Sequence, residues 1–117
     1  MKRRRMMKKL DPIIRENASG GKGHIVVLPL LSEEEMKDKC RLFARVTIPA
    51  GCSLGIHRHT GDSECYHILS GRGLYTADGE TTKVGPGDTT FCEDGHTHAM
   101  ETVGNEDLVF IALIINS

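Results

Sequence analysis

Apolar and β-branched residues gather along the chain in nine short runs: "HIVVLPL" (24–30), "RLFARVTI" (41–48), "SLGIHRH" (53–59), "ECYHIL" (64–69), "GLYTA" (73–77), "TTKV" (81–84), "DTTFCE" (88–93), "HAMETV" (98–103) and "LVFIALII" (108–115). Runs of this length, rich in Val, Ile, Thr and aromatic residues, predict strands. Turn signals separate them at short intervals: Pro49-Ala50-Gly51, Thr60-Gly61-Asp62, Gly71-Arg72-Gly73, Gly85-Pro86-Gly87, Asp94-Gly95 and Gly104-Asn105. These residues tolerate the positive or fixed φ that tight turns need. Asp78-Gly79, between two runs, predicts a hairpin with a type I′ turn. Nine closely spaced strands are too many for one flat sheet and predict an all-β barrel or sandwich. Only "SEEEMKD" (32–38) reads as helical, with Ser32 as N-cap and Glu35 closing a capping box over a turn or two.

Side chains alternate along a strand, so His57 and His59 share a face, about 6.6 Å apart along the chain, with Arg58 pointing away. The turn at 60–62 then reverses the chain and brings Glu64 back beside the two imidazoles. His67 falls on the face opposite Glu64 and drops out of the group. Far along the sequence, His96 and His98 follow a glycine turn with the same parity, and a barrel is the architecture that returns either of them across the cavity. Three nitrogens and one oxygen suit a single divalent Mn, Fe, Co, Ni, Cu or Zn ion, with one or two positions left for water or a ligand.

The same parity places Phe43, Arg45 and Thr47 on the face of His57, Tyr66 with Glu64, and Met100 with His98, while Phe110 and Ala112 face inward from the last strand. The result is a mostly apolar cavity for a small molecule, with Arg45 as a lone cation for an anionic group. Cys92 comes near the site as a small apolar filler. Leu54 and Ile56 are placed outward, and "LVFIALII" is apolar on both faces, so the outer surface needs cover. The run 24–30 covers part, and a second subunit covers the rest, which predicts a homodimer with an isologous interface.

Composition narrows the classes. At 117 residues and 12.9 kDa the chain fits one domain. Its 15 Lys and Arg nearly balance 16 Asp and Glu, and a body without a basic face argues against nucleic acid as the main partner. The first ten residues, "MKRRRMMKKL", are lopsidedly cationic; residues 1–22 are expected to be a basic arm, partly disordered or an edge strand, ahead of a single barrel over 23–117. No apolar h-region follows those cations, and no apolar run approaches the about 18 residues of a membrane span. Cys40, Cys52, Cys65 and Cys92 form no CxxC pair and are expected to be reduced thiols in a cytoplasmic protein.

Two stretches resemble the signatures of the cupin superfamily. The first, a Gly, five residues, HxH, three or four residues, Glu, six residues, Gly, is met by Gly51, His57, His59, Glu64 and Gly71. The second, a Gly, five residues, Pro, any, Gly, two residues, His, three residues, Asn, is met by Gly87, Gly95 and His98, with Glu93 standing for the Pro and Thr102 for the Asn. The resemblance implies a small single-domain cupin, a double-stranded β-helix or jelly roll with a short N-terminal helical turn. It implies His57, His59, Glu64 and His98 as ligands of one metal ion, choosing His98 over His96.

Fold does not fix reaction. The expected function is a metal-dependent enzyme, isomerase-like or dioxygenase-like, acting on a small polar or anionic molecule. The alternative is a non-catalytic module in which the metal anchors a small ligand. No further carboxylate or lysine is placed in the sequence to serve as a base.

Overall fold

The computed structural model describes residues 9–117, so the start of the expected basic arm, residues 1–8, lies outside the described residues. Each of the nine apolar runs forms a strand, and a tenth precedes them: β1 (Ile13–Glu16), β2 (His24–Pro29), β3 (Cys40–Ile48), β4 (Ser53–Arg58), β5 (Asp62–Ser70), β6 (Arg72–Ala77), β7 (Glu80–Val84), β8 (Thr89–Cys92), β9 (Thr97–Val103) and β10 (Leu108–Asn116). They make two antiparallel sheets, one of six strands in the order β1-β2-β3-β10-β5-β8 and one of four in the order β4-β9-β6-β7. The fold is the all-β jelly roll. Among the described residues, no helix is long and apolar enough to cross a membrane.

Local chemistry accounts for the connections. The helical turn α1 (Glu33–Met36) carries the full capping box: Ser32 Oγ accepts from the Glu35 amide at 3.2 Å and Glu35 Oε1 from the Ser32 amide at 3.0 Å. Asp78 and Gly79 have φ of 49° and 87°, the left-handed pair that a two-residue hairpin between β6 and β7 requires. Thr102, in place of the Asn of the second signature, donates its hydroxyl to the Ile48 carbonyl at 2.8 Å and so ties β9 to the end of β3.

The core lies between the sheets. Ile25, Val27, Ala44, Val46, Ile48, Tyr66, Ile68, Met100, Leu108 and Phe110 are all buried there. The strand β1 pairs with β2 at the edge of the large sheet, and the 3-10 turn after it, Ala18–Gly20, packs on β4. Two glycines permit that seat: a Cβ on Gly55 would run into the Ser19 carbonyl, and one on Gly21 into the Ser53 carbonyl.

Two expected orientations are overturned. On β3 the inward residues are Ala44, Val46 and Ile48, so Phe43, Arg45 and Thr47 face outward; Arg45 is exposed and lies beside Val26 and Leu28 on the outside of the sheet. Parity carried from one strand to another has no anchor when both faces of the strand are apolar, as with Leu42 and Phe43. Leu54 was expected to face outward and instead packs against the core, because the β4–β9 register shifts between Leu54 and His57. The bulge inverts parity; Ile56, beyond it, is outward at 67% exposure.

Candidate metal centre

His57 and His98 are direct partners on adjacent strands of the small sheet. His59 lies one residue past β4, where its amide donates to the His96 carbonyl and its carbonyl accepts from the Gly95 amide. Glu64 comes from β5 in the opposite sheet. Because Asp62, Glu64, Tyr66 and Ile68 alternate inward along β5, the carboxylate meets the three imidazoles inside the barrel. One ligand atom from each of His57, His59, Glu64 and His98 lies within 4.8 Å of the others.

The outer nitrogens of the rings settle what the inner ones present. His57 Nδ1 donates to the Gly55 carbonyl at 2.8 Å, and His59 Nδ1 to the Asp62 carboxylate at 2.8 Å. Both partners are acceptors without a proton, so each neutral ring carries its hydrogen on Nδ1 and a bare lone pair on Nε2. His98 Nδ1 bonds the Tyr75 hydroxyl at 2.8 Å, and Tyr66 stacks on the same ring at 4.8 Å between centroids and 12° between planes. All three Nε2 atoms then converge. His59 Nε2 is 3.0 Å from His98 Nε2, and Glu64 Oε1 is 2.9, 3.0 and 3.6 Å from the Nε2 atoms of His59, His98 and His57.

Lone pairs gathered this closely repel unless a cation or shared protons lie between them. A divalent metal bonded at about 2.0–2.2 Å holds neighbouring donors about 3 Å apart; His59, Glu64 and His98 stand at that spacing and His57 slightly wider. The donor set, three imidazole nitrogens and one carboxylate, therefore fits Mn, Fe, Co, Ni, Cu or Zn. Glu64 is also strongly held as a carboxylate. Burial opposes its ionisation, but when shared protons rather than an ion lie between the donors, the hydrogen bonds of His57 and His98 and the charge they carry outweigh burial and bring its pKa down to about 2, and the same contact with Glu64 raises the His57 pKa against burial. His98, fully buried, has its pKa lowered, chiefly by burial, and so favours the neutral ring that a metal needs.

The cluster opens into a cavity of about 610 Å³. Its apolar wall includes Ile25, Val27, Val46, Leu54, Phe110, Ala112 and Ile114, and its polar rim includes Arg15, Asn17, Ser19 and Arg41. Of the expected pocket residues, Tyr66 and Phe110 line this cavity. Phe43 and Arg45 do not, since they face outward, and the cationic position expected of Arg45 is taken by Arg15 and Arg41. Met100 shares the inward face with His98 but is buried in the closed part of the core, away from the cavity wall. Cys92 is buried as the β8 partner of Glu64, and burial pushes its thiol up to about 11, which makes it a filler and a poor nucleophile. His96 sits outside, its Nδ1 2.6 Å from Asp78 Oδ2. His67 points outward and bonds Thr89.

Sequence reasoning missed Asp62, Arg41 and Tyr75. Asp62 has the same parity as Glu64, and only its membership of a turn signal hid it. The contact of Tyr75 with His98 depends on the pairing of β6 with β9, for which no local signal exists.

Comparison with known proteins places these residues in context. A family model described as "Cupin domain" matches residues 44–114. An oxalate-binding protein of Thermotoga maritima is 44% identical over 99 residues, covering 85% of this chain and 82% of that protein. A Thermotoga maritima crystal structure described as a "predicted oxalate decarboxylase" superposes with a TM-score of 0.88 at 42% identity, covering 91% of this chain and 92% of the other. The cupin domain of Schizosaccharomyces pombe Cnp3, at 13% identity, shares the fold with a TM-score of 0.74 over 90% of this chain and 69% of its own.

Proposed function

The chain belongs to the cupin family, and from that premise we propose that it binds one divalent transition metal ion through His57, His59, Glu64 and His98 and uses it to hold a small carboxylate anion of the oxalate class. The observation that carries this reading is the convergence of three Nε2 atoms on Glu64 Oε1 at 2.9, 3.0 and 3.6 Å, all four donors lying within 4.8 Å of one another, with the Nδ1 atoms of all three rings already engaged. A bound ion would supply positive charge and open coordination positions for ligand oxygens. The residues of the chain do the rest. The apolar wall excludes water and strengthens electrostatic attraction inside. Arg15, next to Glu16 on the rim, and Arg41, paired with Asp62, bring guanidinium groups to the cavity that can meet a carboxylate ligand. The oxalate-binding relative supports the choice of ligand class.

A second reading, metal-dependent catalysis of an isomerase-like or dioxygenase-like kind, is favoured by one observation. The buried hydroxyl of Tyr66 lies 3.4 Å from His98 Nε2, and burial raises its pKa well above the ordinary tyrosine value, so it stays protonated as a hydrogen-bond donor beside the site. Calorimetric titration of oxalate separates the possibilities. Binding to the metal-loaded chain and none to the metal-stripped chain is expected; equal binding without metal overturns the reading, and loss of oxalate or uptake of oxygen in the same mixture replaces simple binding by turnover.

The same proposal includes a homodimer. Phe43, Ile111 and Leu113 form a half-buried apolar band on the outside of the large sheet, and Phe91 and Leu69 extend it at 56% and 45% exposure. A dimeric mass in light scattering at micromolar concentration is expected, and a monomeric mass contradicts it. The four free cysteines support a reducing, cytoplasmic setting.

A further inference from the structure

Asp62 stands outside the four-residue cluster, yet it is 1% exposed and both of its oxygens are committed. Oδ1 accepts from His59 Nδ1 at 2.8 Å, and Oδ2 meets the Arg41 guanidinium at 2.8 Å. The three imidazoles are therefore oriented by three different partners: a backbone carbonyl for His57, a phenol for His98 and a carboxylate for His59. A charged acceptor makes the strongest of these bonds and raises the basicity of the far nitrogen most. Arg41, at 60% side-chain exposure, neutralises a carboxylate that would otherwise be buried without a countercharge.

We propose that Asp62 is a positioning residue for the metal centre: through Oδ1 it locks His59 in the Nδ1–H tautomer that aims the Nε2 lone pair at the ion, and Arg41, on Oδ2, serves as the counter-ion that offsets the cost of burying this carboxylate. The proposal rests on the metal reading above. It gives the two partners of one ion pair unequal roles. Loss of Asp62 removes the tautomer lock, whereas loss of Arg41 leaves the Asp62–His59 bond in place. An ion pair that merely fastened β3 to β5 would make both substitutions equivalent.

The test compares Zn(II) affinity in the wild type, Asp62→Asn and Arg41→Gln by competition with a chromogenic chelator at one pH, alongside urea unfolding of the metal-free forms and 15N spectra of the wild-type imidazoles. Asp62→Asn is expected to weaken Zn(II) binding by about 10- to 100-fold while Arg41→Gln stays within about threefold. Arg41→Gln shows its effect in the urea midpoint instead. In the metal-free wild type, the His59 resonances are expected to report the Nδ1–H tautomer. Equal losses of affinity in the two variants, unchanged affinity in Asp62→Asn, or an Nε2–H tautomer at His59 each overturns the proposal. If Asp62→Asn does not fold, the wild-type spectrum decides alone. A wild type that takes up no Zn(II) overturns the metal reading and this proposal with it, and is distinguished from the other failures because it appears before any substitution is made.

Discussion

Strands β3 and β10 run side by side through the barrel, and their paired residues change character along the way. At one end Ile48 faces Leu108, both fully buried, with Ile68 and Met100 beside them. Two steps further Val46 pairs with Phe110, then Ala44 with Ala112 and Leu42 with Ile114, and here Val46, Phe110, Ala112, Leu42 and Ile114 line the cavity. The same two strands thus build a filled core at one end and a container at the other. The filled end gains stability from dispersion and apolar burial. The open end gives up that packing and buries His59, Glu64 and His98, whose desolvation is offset only when each is bonded or paired. Stability and binding are therefore assigned to separate regions, and substitutions in the two should have separable effects.

The sharpest separation comes from His98→Ala, which removes a ligand outright. It should lower metal affinity by more than the about 10- to 100-fold typical of losing an outer partner of a ligand. Added metal should then no longer raise the melting temperature, because stabilisation by a ligand needs binding to the folded state. At the filled end, Leu108→Ala should cost about 2–5 kcal/mol in urea unfolding through lost burial and a new cavity, while metal affinity is kept. If Leu108→Ala abolished metal binding, the two ends would not be independent.

A smaller effect is expected from narrowing the container. Ala112→Leu adds methylenes to the cavity wall and should cost about 1–3 kcal/mol if the wall resists. Oxalate binding should fall while metal uptake, measured in the same preparation, is unchanged. The smallest effect lies outside both regions, at the exposed His96–Asp78 pair. The hydrogen bond to Asp78 raises the His96 pKa above its ordinary 6.5, and the hydrogen bond from His96 lowers that of Asp78 below its ordinary 3.8. The raised histidine contributes stability fully below 6.5 and loses it as pH rises through its folded value, and the lowered carboxylate contributes above 3.8 and loses it on acidification. His96→Ala should therefore lower the melting temperature slightly between these limits, with no difference from wild type in mildly alkaline buffer.

Much of this arrangement was legible in the sequence. The nine strands, the capping box at Ser32 and Glu35 and the Asp78-Gly79 hairpin all follow from local rules that the structure obeys. His57, His59 and Glu64 were legible because strict alternation along β5, and across the short stretch from His57 to His59, survives in the fold; alternation left His96 and His98 open, and the resemblance to the second cupin signature chose His98. What was not legible depends on long-range pairing. β1 could be given no bounds beyond the alternative of an edge strand somewhere in residues 1–22, because all four of its residues are exposed and no alternation marks it. The cavity-facing side of β3 could not be chosen from a strand apolar on both faces, which sent Phe43 and Arg45 to the wrong side. Leu54 was misplaced because the bulge between it and His57 is set by pairing with β9 and by the turn seated on Gly55, neither of which leaves a local mark.

The claim that the barrel is a metal container rests on the His57, His59, Glu64 and His98 cluster, and metal content tests it directly. Elemental analysis of the chain exposed to Mn, Fe, Co, Ni, Cu and Zn ions and then freed of loosely bound metal should find one equivalent of a divalent transition metal per chain. Substitution of His98 by Ala should remove it. A wild-type chain that retains none of these ions, or a His98→Ala chain that retains as much as the wild type, would contradict the account.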